Sequence, residues 1–254
     1  MSAYVIAFAN QKGGVGKTTS CINIAAACAS MGKRVLLIDS DPQGNTTSGL
    51  GIHKKSLKAT IYEGLIGIKT AEECILHTAF QNLDLIASNI NLAGAEFELM
   101  DMEHREACMK TLLAPISDCY DLVMIDCPPS LSLLTVNALC AANGVVIPMQ
   151  CEYYALEGLT QLMMTIRKVK QTYNPGLVIL GILITMYNAR LNLSVQVLDE
   201  IKKYYADKLL PVTIPRSVKL TEAPSHGEPA LYYDPYNKGT QAYTEAAKEL
   251  LRRI

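Results

Sequence analysis

A glycine-rich segment, Asn10-Gln11-Lys12-Gly13-Gly14-Val15-Gly16-Lys17-Thr18-Thr19, stands between a short apolar run at Tyr4–Ala9 and a helical pattern at Lys17–Met31. The run is too short for a helix and reads as a buried strand. The pattern after it carries Ala, Ile and Cys at helical spacing and stops at Gly32, a helix C-terminal signal. Further strand-like runs recur at Arg34–Asp39, Leu83–Ala87, Leu122–Asp126, Gly144–Pro148 and Val178–Thr185. Helix-like stretches lie between most of them, at Arg105–Leu113, Leu133–Ala142 and Leu156–Tyr173. The expected fold is α/β: a single doubly wound, mostly parallel sheet with helices on both faces, in one domain over residues 1–254. No Pro/Gly/Ser-rich linker divides the chain and no internal repeat is present.

The loop itself points to phosphate. Glycines let backbone N–H groups turn toward an anion, and the N-terminus of the following helix adds the positive end of its dipole. Gly16-Lys17-Thr18 fits the end of the G-x-x-x-x-G-K-[ST] pattern, whereas the leading glycine position holds Gln11. In such loops the lysine reaches the β- and γ-phosphates and the hydroxyl ligates Mg²⁺, roles that fall to Lys17 and Thr18. Lys12 is a second cation beside the same phosphates. It is redundant within one chain and makes sense if it reaches a nucleotide held by a second subunit.

Ligands of open α/β sheets sit at the carboxyl ends of the strands, so aspartates at strand ends complete the site. Asp126 closes Leu122-Val123-Met124-Ile125-Asp126, four hydrophobics and an acid, and is placed to hold Mg²⁺ directly or through a water. The second strand ends in Ile38-Asp39-Ser40-Asp41-Pro42-Gln43-Gly44-Asn45. Phosphoryl transfer to water needs a group that sets the water in line with the γ-phosphate. Asp41 is the candidate for that role and Asp39 a structural residue. Thr18, Asp126 and Asp41 form the expected metal-facing oxygens.

The K-G-G-x-G-K-T-[ST] loop resembles that of the deviant Walker A ATPases at every specified position. Asp39–Asn45 resembles their D-x-D-P-Q-G-N motif, whose later aspartate is the hydrolytic one. Longer matches, Asp126-Cys127-Pro128-Pro129-Ser130-Leu131, Cys151–Gly158 and Glu222–Gly227, resemble the Soj-like, chromosomal branch of the ParA family. The resemblance implies a slow ATPase with ATP and Mg²⁺ as ligands, in which Lys12 crosses the interface of an ATP-sandwich homodimer. It further implies binding of double-stranded DNA without sequence preference, hydrolysis stimulated by a ParB-type protein, and a cytoplasmic, nucleoid-associated location. Lys12, Gly13, Gly14, Val15, Gly16, Lys17, Thr18 and Thr19 are the implied phosphate-binding residues. Pro215-Arg216-Ser217 resembles the segment that lines the adenine, and Arg190 stands where a family arginine contributes to DNA binding. Many relatives carry Asp where this chain has Asn188. The first strand starts at Tyr4, without the N-terminal helix-turn-helix extension of some larger plasmid members, so DNA contact is expected to be electrostatic and salt-sensitive.

Charge supports that expectation only once the chain is divided. The net charge of −1 separates into −6 over residues 1–159 (10 Lys+Arg, 16 Asp+Glu) and +5 over residues 160–254 (13 Lys+Arg, 8 Asp+Glu). Arg190, Lys202, Lys203, Arg216 and Lys219 are the candidate phosphate contacts. The eight cysteines include no C-x-x-C and no zinc spacing, and read as free, mostly packing thiols in a reducing compartment. That argues against an iron-cluster carrier built on the same loop, and His226 has no partner pattern for catalysis. No apolar run reaches the roughly 18 residues of a membrane span, and no signal peptide is evident. The main alternative is a MinD-like, membrane-associated positioning ATPase, which needs an amphipathic lipid-binding helix. The last segment, Thr240–Ile254, instead reads as a small-residue helix packed on the sheet. Asp41→Ala is expected to bind ATP yet barely hydrolyse it in a phosphate-release assay, and turnover at the wild-type rate would remove Asp41 from the mechanism.

Overall fold

A computed structural model describes residues 2–254. Eight strands form one sheet: β1 (Tyr4–Phe8), β2 (Val35–Asp39), β3 (Ile75–His77), β4 (Leu83–Ile86), β5 (Leu122–Asp126), β6 (Gly144–Gln150), β7 (Val178–Tyr187) and β8 (Leu209–Pro215). Their order is β3-β4-β2-β5-β1-β6-β7-β8, and every pairing is parallel except β3 against β4 at one edge. From β1 the chain first builds outward to one side through β2 and β4, then returns at β5 and builds to the other through β6, β7 and β8.

Side chains of the central strands alternate between two cores, as a sheet covered on both faces requires. Ala7, Leu36, Ile38, Val123 and Ile125 face one core, while Ile6, Phe8, Leu37, Leu122 and Met124 face the other. The first core is covered by helices Leu133–Ala141, Ala155–Thr172 and Asn192–Tyr205. The second is covered by α1 (Lys17–Ser30) and the C-terminal helix Lys238–Arg252. α1 is buried along nearly its whole length, and Ala25, Ala26, Ala27 and Ala29 let sheet and neighbouring helix approach closely. Buried Tyr243 of the C-terminal helix meets the Ser20 hydroxyl at 3.1 Å, and burial raises its phenol pKa. That helix therefore spends its apolar side, Tyr243, Ala246, Ala247 and Leu250, on the core.

The doubly wound sheet is the expected one, with strand ends shifted by a residue or two. The helices Leu92–Met100 and Asn192–Tyr205 add to the stretches named from the sequence, and two further features depart from that reading. β3 is only three residues long, lies at the edge and is never fully buried, so it carries no apolar run. The helix expected at Arg105–Leu113 begins at Cys108, and two short helices ahead of it were not read from hydrophobic period. Those two start at capping boxes, Thr60/Glu63 and Thr70/Glu73, in which threonine and glutamate satisfy each other's end of the first turn.

One close approach ties the loop after β2 to the segment ahead of the C-terminal helix. Gly227 has φ +70°, and a Cβ there would lie 2.6 Å from the Gly51 Cα. Gly94, on the helix Leu92–Met100, has open space around it. Gly227→Ala is expected to lower stability by about 1–3 kcal/mol, through left-handed strain and backbone collision. Gly94→Ala should be neutral or stabilising by up to about 1 kcal/mol. Urea midpoints check both, and a Gly227→Ala midpoint at or above wild type would contradict the packing described.

Candidate nucleotide-binding site

β1, β2 and β5 run parallel and in register, so their carboxyl ends open on one edge, with Phe8 and Asp39 each paired to Asp126. The glycine-rich loop leaves β1 at that edge. Gly14 (φ +74°) and Gly16 (φ +83°) adopt the left-handed conformation that side chains disfavour, and Gly16 is the N-cap of α1. Among the described residues no side chain caps that terminus, so its first amides are available to an anion. The loop is held from outside. Gln150 Nε2 donates to the Gly14 carbonyl at 3.1 Å, and Thr185 Oγ1 donates to the Val15 carbonyl at 2.7 Å. Asn10 donates to the Pro148 carbonyl at 2.8 Å and accepts from the Lys12 N–H at 3.0 Å. Gln11, where the common pattern has glycine, donates to Gln161 at 2.7 Å on the neighbouring helix, so its side chain anchors the loop.

The two loop lysines differ in environment. Lys17 is 6% exposed and donates from Nζ to the Lys12 carbonyl at 3.0 Å. Burial lowers its pKa, opposed by Asp126, Cys127 and Asp41. Lys12 is half-exposed and pairs with Glu152, itself half-exposed. An exposed pair of this kind is worth about 0–1 kcal/mol, so exchanging Glu152 for a phosphate costs little.

Three aspartates meet at the ends of β2 and β5. Asp126 is fully buried, and its Oδ2 accepts from Thr18 Oγ1 at 2.7 Å and Thr46 Oγ1 at 2.8 Å. Among the described residues its Oδ1 has no hydrogen-bond partner, nor does buried Ser40 Oγ, which follows Asp39 in the chain. Burial first, then the charge of Asp39, pushes the Asp126 carboxyl up to about 7, against the hydrogen bonds from Thr18 and Thr46 and the charge of Lys17. Asp39 is committed to structure: Oδ2 accepts from the Thr47 N–H at 2.8 Å and hydroxyl at 2.7 Å, and Oδ1 accepts from the Asp41 N–H at 3.2 Å. Burial still raises it to about 6. Asp41 is 8% exposed and accepts from the Gln43 N–H through Oδ1 at 2.9 Å. An orphaned carboxylate oxygen beside a threonine hydroxyl is a hard-oxygen environment that fits Mg²⁺. Thr18 and Asp126 are the residues that would hold it.

Pro215, Arg216 and Ser217 line a cavity of about 130 Å³ together with Gly16, Thr19 and Met186, next to the loop. The other basic candidates do not all share that place. Arg190 is exposed after β7. Lys202 and Lys203 are exposed on the helix Asn192–Tyr205, pairing with Asp199 and Glu200. Lys219 pairs with Glu222 and lies 5.4 Å from the Tyr233 ring centroid. His226 stacks on that same ring at 4.8 Å. All eight cysteines are free, six of them buried. Sequence reasoning passed over Thr46, Gln150, Thr185 and Glu152. Thr46 directly follows the second aspartate motif and Glu152 lies within the matched segment Cys151–Gly158, though neither was given a role; Gln150 and Thr185 reach the site through the sheet.

An AAA domain family matches residues 3–179. The sporulation initiation inhibitor protein Soj of Bacillus subtilis (strain 168) is 52% identical, covering 97% of each chain. The chromosome partitioning protein ParA of Myxococcus xanthus (strain DK1622) is 47% identical over 98% of this chain and 88% of its own. Among solved structures, a Mycobacterium smegmatis protein titled cobyrinic acid a,c-diamide synthase, with bound ADP and magnesium, superposes with a TM-score of 0.86 at 40% identity, covering 98% of this chain and 94% of its own.

The raised carboxyl of Asp126 has a consequence for stability without ligand. Its folded value of about 7 lies above the ordinary 3.8, so its contribution is complete below about pH 4 and is lost as pH rises through about 7. Asp126→Asn removes that loss. Between about pH 5 and pH 8 the variant's urea midpoint should rise relative to wild type, and two parallel pH profiles would contradict the burial of this charge.

Proposed function

The chain belongs to the ParA/Soj family of partitioning ATPases, and from that premise we propose that it is a nucleotide-switched DNA-partitioning protein. ATP binding assembles a sandwich dimer that grips DNA without sequence preference, and hydrolysis, stimulated by a ParB-type partner, resets it. The single observation that carries this reading is the convergence on one sheet edge of the capless α1 terminus, buried Lys17, and Asp41 and Asp126.

The chemistry asks little of the protein beyond positioning and charge. The amides of Gly13, Gly14, Val15, Gly16, Thr18 and Thr19 cradle the phosphates. Lys17, already at the loop carbonyl of Lys12, moves its ammonium to the β- and γ-oxygens. Asp41 orients the attacking water. Mg²⁺, when bound through Thr18 and Asp126, would neutralise charge on the phosphates, and the 40% identical Mycobacterium smegmatis protein, solved with bound ADP and magnesium, supports magnesium as the ion. Lys12 exchanges Glu152 for the nucleotide of the second subunit and so makes dimerisation sense the γ-phosphate. Pro215, Arg216 and Ser217 line the base.

DNA is the proposed polyanion because the +5 portion of the chain supplies exposed Arg190, Lys202 and Lys203. Of the two positioning functions, the DNA reading is favoured over the membrane one. Among the described residues no helix is long and apolar enough to cross a membrane, and the apolar side of Lys238–Arg252 is taken up by the core. Sedimentation and DNA binding with ADP, ATP and a slowly hydrolysed analogue test the proposal. A dimer with ATP, and DNA binding only in that state with a steep loss in salt, are expected. Arg190→Ala should weaken DNA binding and reduce the salt slope by about one while sparing the dimer. A chain that stays monomeric in saturating ATP, or binds DNA regardless of nucleotide, would contradict it.

A further inference from the structure

The loop that carries Asp41 is held by two side chains outside the recognised motifs. Ser88, fully buried just beyond β4, donates from Oγ to the Asp41 carbonyl at 2.8 Å. Its own N–H donates to Thr47 Oγ1 at 2.9 Å, and that hydroxyl donates to Asp39 at 2.7 Å. Ser88 is therefore joined to both ends of the Asp39–Thr47 segment. Lys54 approaches from the other side, donating from Nζ to the Gln43 carbonyl at 2.5 Å. The N–H of that same Gln43 donates to the Asp41 carboxylate at 2.9 Å. Gly44 is the residue that lets the two meet. It has φ +63°, and a Cβ there would stand 2.6 Å from Lys54 Cδ and 2.8 Å from the Ser88 carbonyl oxygen. The Lys54 stem thus lies on the bare backbone of Gly44, and its ammonium reaches one residue back.

We propose that Lys54 and Ser88 are positioning residues for hydrolysis, fixing the two carbonyls that flank the turn from which Asp41 presents its carboxylate. This rests on the reading of Asp41 as the water-orienting group. Orienting a water in line demands placement to a fraction of an ångström, and an error of about 1 Å can cost about a hundredfold in rate. The motif supplies the carboxylate but leaves its loop with few anchors of its own: the Gly44 N–H on the Asp41 carbonyl, the Gln43 N–H on the Asp41 carboxylate, and the Asp41 N–H on Asp39. Ser88 ties that loop to β4. Lys54 ties it to the residues beyond the helix Asn45–Gly49. Neither residue needs to touch the nucleotide. The Lys54 bond is partly exposed and can be broken without unfolding the sheet, whereas the Ser88 bond is buried. The loop therefore has one fixed anchor and one that can be released.

Lys54→Met keeps the apolar stem on Gly44 and removes the donor, Lys54→Arg restores a donor, and Ser88→Ala removes the buried one. Single-turnover and steady-state ATPase, ATP affinity, ATP-dependent dimerisation and thermal melting are measured for each, alone and with Asp41→Ala. Lys54→Met and Ser88→Ala should each lower kcat about tenfold, with KM and dimerisation changed less than about twofold. Lys54→Arg should recover most of the loss, and neither substitution should slow Asp41→Ala further. Wild-type kcat in both variants beside an inactive Asp41→Ala overturns the positioning role and leaves Asp41 in place. Loss of kcat, affinity and melting temperature together, without recovery in Lys54→Arg, also overturns it, because that is a folding defect. Wild-type turnover by Asp41→Ala itself marks the failure of the underlying reading instead.

Discussion

The site is organised around a buried negative charge that lacks enough positive charge within its own chain. Asp39 and Asp126 are register partners at the ends of β2 and β5, both fully buried; the charge of Asp39 raises the proton affinity of Asp126, and that of Asp41 raises the proton affinity of Asp39. Lys17 is the buried cation beside them, and burial makes its own charge costly. Their hydrogen bonds come from the Thr18, Thr46 and Thr47 hydroxyls and from the Thr47 and Asp41 N–H groups. Asp126 takes Thr18 from the start of α1 and Thr46 from the loop after β2, and so staples the phosphate loop to the Asp41 segment. Thr18 and Asp126 would hold a divalent cation at this edge, and the Thr18 hydroxyl that would ligate it is the same one that now donates to Asp126.

The phosphate loop shows the same economy. Its glycine conformations are backed by Gln150 and Thr185 from β6 and β7, so the loop stands largely preformed, while its two lysines are parked on internal acceptors. Lys17 rests on a carbonyl and Lys12 on Glu152. Neither resting contact is strong, which lets phosphate displace both. Glu152 belongs to the segment after β6, far from the loop in sequence, and its pairing with Lys12 keeps that lysine at the rim of the site in the single chain. A cation at the rim suits a nucleotide presented from outside better than one seated beneath Lys17.

Much of this was legible in the sequence because it is local. The strand–loop–helix unit, the apolar runs that end in Asp39 and Asp126, and the glycine signals all lie within a few residues of the chemistry they serve. β3 was not legible, since two half-buried residues and an exposed histidine at a sheet edge make no apolar pattern. The capping boxes at Thr60 and Thr70 were legible in principle, as T-x-x-E, but hydrophobic periodicity does not detect them in helices of one turn. Ser88, Gln150 and Thr185 were hidden for a different reason. They act through strands adjacent only in the folded sheet, and a lone serine or threonine carries no local mark. The basic residues were visible as charges, yet their grouping was not. The structure sets Arg216 at the edge of the small cavity beside the loop and pairs Lys202 and Lys203 with acids of their own helix, so net charge by segment overstated how far they form one surface.

The central claim is that each site is completed by a second copy of the chain, with Asp41 acting in its own subunit and Lys12 in the neighbour. Mixing Lys12→Gln with Asp41→Ala and measuring ATP hydrolysis tests it most directly. A mixed dimer then holds one doubly defective site and one site with both groups intact, so the mixture should hydrolyse ATP well above either variant alone. If the mixture is no more active than the sum of its inactive parts, although mixed dimers form, Lys12 serves its own subunit and the account fails.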